Sequence, residues 1–209
     1  MGDLDPLTLQ DWRRRVFELY AALRAAPDPA LGWHRWRTER DALFGHHPAT
    51  PLPADARNAF AGLPVYAYDP SARVLADAEP AAERTITLTG SAGATFGARR
   101  FATARFSLAG ADLGLDLYWL EGYAGGLFVP FADATSGKTT YGAGRYLLDT
   151  VKGADLGTDD GRLVLDFNFA YNPSCSYDPR WSCPLAPPPN RLAVPVRAGE
   201  RHVERAEAG

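Results

Sequence analysis

The chain has 209 residues, of which 46% are hydrophobic and 22% are charged, and its formal net charge is −3. A chain of this size and composition buries a core without metals or disulfides, so we expect one globular domain with an appendage. The slightly acidic balance and the lack of a basic stripe argue against nucleic acid as a partner. Because no apolar run is long enough to span a bilayer, we expect no membrane association and a cytoplasmic location.

The N-terminal region predicts two amphipathic helices. In the first, Thr8 and Asp11 have the spacing of a capping box, and an apolar stripe follows until Pro27 stops it. In the second, Asp28 and Pro29 supply an N-cap and a first-turn proline. The two apolar faces contain Leu9, Trp12, Val16, Leu19, Tyr20 and Leu23, and then Trp33, Trp36, Leu43 and Phe44. Such faces need cover, so we expect them to pack on the rest of the chain or to form a homodimer.

After Leu63 the apolar residues alternate, which indicates strands. Most connections are too short for crossover helices, so we expect an antiparallel sheet that curls into a barrel or sandwich. The fold class is therefore mainly β (α+β), with residues 1–53 as a helical arm and connector, 54–198 as the β domain and 199–209 as a frayed tail. The predicted strands are 65–68, 85–89, 101–108, 113–119, 126–131, 146–150, 163–167 and 192–196.

Residues 132–139, with the sequence ADATSGKT, match the loosest form of a phosphate-binding loop. In such a loop a helix begins at the lysine and directs its free amides at the phosphates. Here Lys138 is followed by Thr139, Thr140 and a glycine-rich run, which form helices poorly, and the parallel strand-helix-strand context is missing. We therefore predict a structured loop between strands and no nucleotide site.

Residues 133–147, the glycine-rich stretch, nevertheless concentrate short hydrogen-bonding side chains around Gly137, Gly142 and Gly144. This composition is typical of a loop that side chains brace against the backbone. The same residues also suit a small anion or polar ligand, with Arg145 as the bidentate donor and Tyr141 beside it.

Residues 166–190, the proline-rich stretch, are too long and too varied for a passive linker. Asn168, Tyr171 and Asn172 give it polar side chains, and Cys175 and Cys183 are separated by seven residues, a spacing that a disulfide closes in an oxidising compartment. In the cytosol we expect thiols. Two thiols are too few for a zinc site, so we expect no metal and no cofactor. These residues also have a structural interpretation, in which they brace a loop lying across the sheet.

Three segments resemble the bacterial "domain of unknown function 1684" family. They are DATSGKTTYGAGRYL from Asp133, LDFNFAYNPSCSYDPRWSCPLAPPPNRL from Leu165, and LFGHHPATPL from Leu43. The matching positions are Gly142, Gly144, Arg145, Asn168, Tyr171, Asn172, Cys175, Cys183, Pro184 and Asn190. Because the family is uncharacterised, the resemblance supports the domain boundaries and a functional face but implies no reaction.

Our first functional hypothesis is a protein that binds a small polar or anionic ligand at one end of a β barrel. The pocket would be lined by Tyr141, Arg145, Asn168, Tyr171 and Asn172. This hypothesis requires the glycine-rich and proline-rich stretches to meet beside the sheet.

Two other classes stay open. One is a hydrolase-type enzyme with Cys175 or Cys183 as nucleophile and His46 or His47 as base, although no standard catalytic motif such as GxSxG or HExxH is present. The other is a structural or interaction module whose tryptophan-bearing helices dock a partner.

Overall fold

The computed structural model describes residues 5–202. Within this range three helices precede seven strands, joined by loops and short 3-10 turns. The helices are α1 (Pro6–Arg24), α2 (Pro29–His46) and α3 (Ala54–Asn58). The strands are β1 (Arg73–Thr89), β2 (Thr95–Leu108), β3 (Ala111–Leu120), β4 (Gly126–Phe131), β5 (Arg145–Asp149), β6 (Thr158–Asp159) and β7 (Arg162–Asp166). None of the described helices has an apolar stretch of the length that a bilayer requires.

Aspartate residues cap both long helices. Asp28 accepts a hydrogen bond from the backbone N–H of Ala30 at 2.8 Å, which confirms the predicted start of α2. At α1 the predicted capping box is wrong, because Asp5 caps the helix and accepts from the backbone N–H of Thr8 at 2.9 Å. The proline after Asp5 suits the first helical position, so the helix begins one turn before the predicted cap.

All seven strands form one antiparallel sheet in the order β5-β4-β3-β2-β1-β7-β6. The predicted mainly β (α+β) class, with two N-terminal helices and an antiparallel sheet, is confirmed. The predicted closure into a barrel is wrong, because β5 and β6 remain edges. The backbone of Tyr146 in β5 pairs instead with that of Tyr171 at 2.8 and 3.0 Å, so an irregular segment covers the edge that a barrel would close.

Several strand predictions differ from the structure: β2 begins at Thr95, before the predicted start at residue 101, and the short β6 was not predicted. Residues 65–68 and 192–196 form no strand; the first makes a single bridge from Val65 to Glu200, and Pro195, which lacks an N–H, interrupts the second. Conversely, β1 begins at Arg73, twelve residues before the predicted start at Thr85. The first half of β1 has many exposed positions and contains Pro80, so it lacks the apolar alternation by which strands are recognised.

The core lies in the concave side of the curled sheet and continues beneath the helices. Phe131 of β4 and Phe167, just after β7, meet edge to face with ring centroids 5.2 Å apart, which shows how far the sheet curls. Trp36 of α2 is fully buried and packs on Phe169 at 5.6 Å. The apolar helix faces therefore pack on the chain itself.

A buried ion pair connects α2 to the C-terminal segment, which comprises residues 196–202. The carboxylate of Glu200, which is fully buried, accepts from Arg40 Nε at 3.0 Å, from the Asn172 backbone N–H at 2.7 Å and from the Tyr177 hydroxyl at 2.8 Å. The guanidinium of Arg40 also lies 5.0 Å from the ring of Tyr171. The segment that we expected to fray from Gly199 is hydrogen-bonded to the rest of the chain as far as His202, whose backbone N–H donates to the Thr139 carbonyl at 3.0 Å. The rest of that predicted tail, 203–209, lies outside the described residues.

A buried carboxylate also stabilises the turn after β7. Asp166 is 1% exposed and accepts from the backbone and side-chain N–H groups of Asn168 at 3.0 and 2.9 Å. The Asn168 amide in turn bonds to the backbone N–H and C=O of Asp69 at 2.9 and 2.7 Å. Burial raises the pKa of Asp166 to about 6, and the hydrogen bonds from Asn168 oppose that rise.

We predict that Glu200→Gln lowers the free energy of unfolding by about 3–5 kcal/mol, because it leaves the buried Arg40 cation without its counter-ion. The measurement is urea unfolding followed by tryptophan fluorescence. The control is Glu83→Gln, which removes an exposed pair with Arg99 at 2.7 Å and is expected to cost at most about 1 kcal/mol. Equal losses in the two variants would contradict the prediction.

We predict that the contribution of Asp166 to stability falls as the pH rises from about 4 to about 6. The folded pKa lies above the unfolded one, so the folded state binds the proton more tightly in this window. In urea unfolding at a series of pH values, Asp166→Asn should therefore gain stability relative to the wild type as the pH rises, by at most about 3 kcal/mol. Asp160→Asn, which removes a carboxylate at an exposed turn, is the matched control. An Asp166→Asn curve parallel to that of the wild type would refute this.

Candidate functional site

The glycine-rich and proline-rich stretches meet beside the sheet, as the sequence predicts. The Tyr141 hydroxyl lies 3.9 Å from the sulfur of Cys175, and the backbone N–H of Ala186 donates to the Ala143 carbonyl at 3.4 Å. At Gly144, where φ is +95°, an added Cβ would lie 2.8 Å from the Ala186 side chain. Only glycine therefore allows this close approach of the two stretches.

The loop that resembles a phosphate-binding loop has no helix at Lys138. Instead, Asp133 accepts from the backbone N–H and hydroxyl of Thr135 at 2.8 and 2.6 Å, and the N–H of Lys138 returns to the Thr135 carbonyl at 3.0 Å. The lysine side chain is exposed. The loop is a series of braced turns, so this segment lacks the helix that a phosphate-binding loop places at its lysine.

Arg145 holds the C-terminal segment in place. Its side chain is 1% exposed, and Nη2 donates to Asp133 Oδ2 at 2.9 Å and to the Val196 carbonyl at 3.0 Å. Nη1 donates to the carbonyls of Ala198 and Glu200. Four of its five N–H groups therefore bind the protein, and only Nε has no partner among the described residues.

The other predicted ligand residues are distributed around this brace. Asn172 is buried, and its side chain donates to the Arg201 carbonyl at 2.9 Å, so Asn172 and Arg145 converge on the same C-terminal segment. Tyr171 lies beneath Arg40, and Asn168 binds Asp69 and Asp166 at the turn after β7. Most of their polar atoms contact the protein, so a ligand at these residues stays a prediction.

The histidines suggested as bases lie on the helical side. His47 is buried; its Nδ1 accepts from the Ala49 backbone N–H at 3.0 Å, so Nε2 carries the proton toward Asp11 Oδ2 at 3.1 Å. His46 is exposed at the end of α2. In residues 5–202 neither histidine hydrogen bonds to Cys175 or Cys183, so neither of the two suggested bases is paired with a candidate nucleophile.

A cleft of about 540 Å³ lies on the sheet where β1, β2 and β3 meet the proline-rich stretch. On its floor Arg84, Arg100 and Tyr118 stand directly opposite one another on three neighbouring strands. The cleft is lined by Ala82, Glu83, Arg84, Ile86, Arg100, Asp116, Tyr118, Pro187 and Pro189. None of these residues is among the ligand residues predicted from the sequence.

Irregular strand pairing shapes the cleft. The register of β1 and β2 shifts between Pro80 and Arg84, and that of β2 and β3 shifts between Arg100 and Ala102. Bulges bend strands and redirect side chains, and they occur often beside functional sites. In the sequence, Pro80 is the residue that could have indicated this irregular pairing, because a proline inside a strand marks an edge or a bulge.

Asn190 holds the prolines over the cleft. It is fully buried, its Oδ1 accepts from the Asp116 backbone N–H at 2.9 Å, and its Nδ2 donates to the carbonyls of Asp116 and Pro130 at 3.0 and 2.7 Å. The side chain thus pairs with β3 and β4 as a neighbouring strand would. This fixes Pro187 and Pro189 as one wall.

Comparison with known proteins gives a family and a structural relative. The model of the family described as "Protein of unknown function (DUF1684)" matches residues 58–201. The solution NMR structure of the uncharacterized protein from gene locus rrnAC0354 of Haloarcula marismortui is 36% identical, covers 79% of this chain and 89% of its own, and has a TM-score of 0.58. A search of curated proteins found no match. The family match extends over more than half of the sequence, so the chain belongs to the DUF1684 family of proteins of unknown function.

Proposed function

We propose that this protein binds a small organic anion in the cleft between β1, β2, β3 and the proline-rich stretch. The supporting observation is that Arg84 and Arg100 are cross-strand neighbours. Like charges in this position repel each other and destabilise a sheet. An anion between the two guanidinium groups would relieve that repulsion.

The ion pairs of the cleft leave one cation available. Arg100 Nε lies 2.7 Å from Asp116 Oδ2, and Glu83 pairs with Arg99 at 2.7 Å. Arg84 is exposed and has no ion-pair partner among residues 5–202. An incoming carboxylate therefore finds an unpaired guanidinium beside a paired one, which is a suitable place for a charge-assisted hydrogen bond.

The remaining walls favour a ligand with a flat apolar part. Ile86, Pro187 and Pro189 are apolar, and the volume of about 540 Å³ is in the range of small-molecule sites. Burial, together with the nearby Asp116, raises the pKa of Tyr118, so its hydroxyl keeps its proton at neutral pH. The expected ligand class is an aromatic or alicyclic carboxylate.

The larger groove, of about 660 Å³, between α1 and α2 is a weaker candidate. Several of its charged side chains are already paired, since Asp11 binds Arg14, Arg15 and His47 within 3.2 Å. A ligand there would compete with existing ion pairs.

We predict that benzoate shifts the backbone amide NMR signals around Arg84, Arg100 and Tyr118, and that the neutral isostere benzamide shifts them much less. Arg84→Gln should weaken benzoate binding about five-fold or more, which corresponds to about 1 kcal/mol. The matched control is Arg162→Gln, which removes an exposed strand arginine that does not line the cleft.

Two results would count against the proposal. One is that benzoate, citrate and phosphate at millimolar concentration all leave the cleft signals unchanged. The other is that Arg84→Gln and Arg162→Gln weaken benzoate binding equally, because a general loss of positive charge would then explain the effect.

A further inference from the structure

The only two cysteines of the chain lie against each other. Cys175 occupies a 3-10 turn (Ser174–Ser176), and its backbone N–H points at the sulfur of Cys183 at 3.4 Å. Cys175 also packs against the apolar cluster that contains Cys183. The fold has therefore brought together two cysteines that are separated by seven residues in the sequence.

The connection between β1 and β2 fixes the position of Cys183. The Cys183 backbone N–H donates to the Ser91 hydroxyl, and its carbonyl accepts from the Ser91 N–H, both at 2.9 Å. The side chain is 3% exposed and packs in an apolar cluster with Phe128 and Tyr146. Cys183 is thus anchored and shielded from reagents in solution.

Cys175 is the accessible member of the pair. Its side chain is half-buried, and the Tyr141 hydroxyl lies 3.9 Å from its sulfur. The hydrogen bond from Cys183 lowers the pKa of Cys175 to about 6, while the hydrogen bond to Cys175 raises that of Cys183. The outer sulfur is therefore the more readily deprotonated of the two, which suits an attacking cysteine, and the inner one suits a resolving cysteine.

We propose that Cys175 and Cys183 form a thiol–disulfide exchange site that reacts with low-molecular-weight disulfides, with Cys175 as the attacking and Cys183 as the resolving residue. The proposal rests on the 3.4 Å contact between the Cys175 backbone N–H and the Cys183 sulfur, and on the unequal exposure of the two cysteines. It is independent of the anion cleft.

The exchange balances in two steps. The Cys175 thiolate attacks one sulfur of a disulfide RSSR, forming a Cys175–SR mixed disulfide and releasing RS⁻. The Cys183 thiol then gives its proton to a thiolate and attacks the Cys175 sulfur, which expels the second RS⁻ and closes the Cys175–Cys183 bond. Two protein thiols are oxidised and RSSR is reduced to two RSH. The reverse sequence restores the thiols.

The experiment uses oxidised glutathione as the disulfide and intact-mass spectrometry after alkylation with iodoacetamide. The wild-type protein should lose two hydrogen atoms and resist alkylation, and dithiothreitol should restore both thiols. Cys183→Ser should stop at one glutathione adduct on Cys175. Cys175→Ser should form its adduct on Cys183 at least about ten-fold more slowly, because that sulfur is buried.

The same reactions in urea provide the control for folding. Unfolding exposes both sulfurs, so the two single variants should react with glutathione at similar rates in urea. A difference in rate that is seen only without urea therefore comes from the fold. The proposal is overturned if the folded wild-type protein still alkylates at both thiols after glutathione treatment. It is also overturned if folded Cys175→Ser forms its adduct as fast as folded Cys183→Ser.

Discussion

The carboxylate of Glu200 is the point on which the arrangement of this chain depends. Placing a carboxylate in the interior costs several kcal/mol of desolvation unless a counter-ion and hydrogen bonds surround it. Here Arg40 comes from α2, and Asn172 and Tyr177 come from the proline-rich stretch. The cost is offset only when all three are in place, so the helical arm, the proline-rich stretch and the C-terminal segment are stabilised together.

Arg145 supplies hydrogen-bond donors to the backbone of the C-terminal segment. Residues 196–200 belong to no strand, and their buried carbonyls need donors that a sheet would otherwise supply. A single guanidinium meets three of them, at Val196, Ala198 and Glu200, while Asp133 balances its charge. This use explains why a planar five-donor side chain stands there, and it leaves the accessible chemistry to the cleft and to the thiol pair.

Local signals predicted the fold well where local chemistry determines it. The Asp28 cap is a contact between residues two apart, and β3 and β4 have apolar alternation or runs in their own sequence. The errors lie where distant partners decide. The exposed first half of β1 forms a strand because β2 and β7 pair with it, and residues 65–68 fail to form one because the C-terminal segment offers them only a single bridge. Closure of the sheet fails for the same reason, since the partner of β5 is irregular.

The roles of the candidate site residues are harder to predict from the sequence than the fold is. A buried arginine or asparagine that binds a ligand and one that braces a loop have the same donors, so the glycine-rich and proline-rich stretches could be selected as polar surfaces but not assigned a role. The two roles differ in whether the donor is already hydrogen-bonded to a backbone carbonyl of residues 196–201, as Arg145 and Asn172 are. The opposition of Arg84 and Arg100 depends likewise on the pairing register, because a shift of one residue would turn Arg84 to the other face of the sheet. The meeting of these two charges on one face of the sheet thus depends on a bulge, and the pairing of β1 with β2 fixes where that bulge lies.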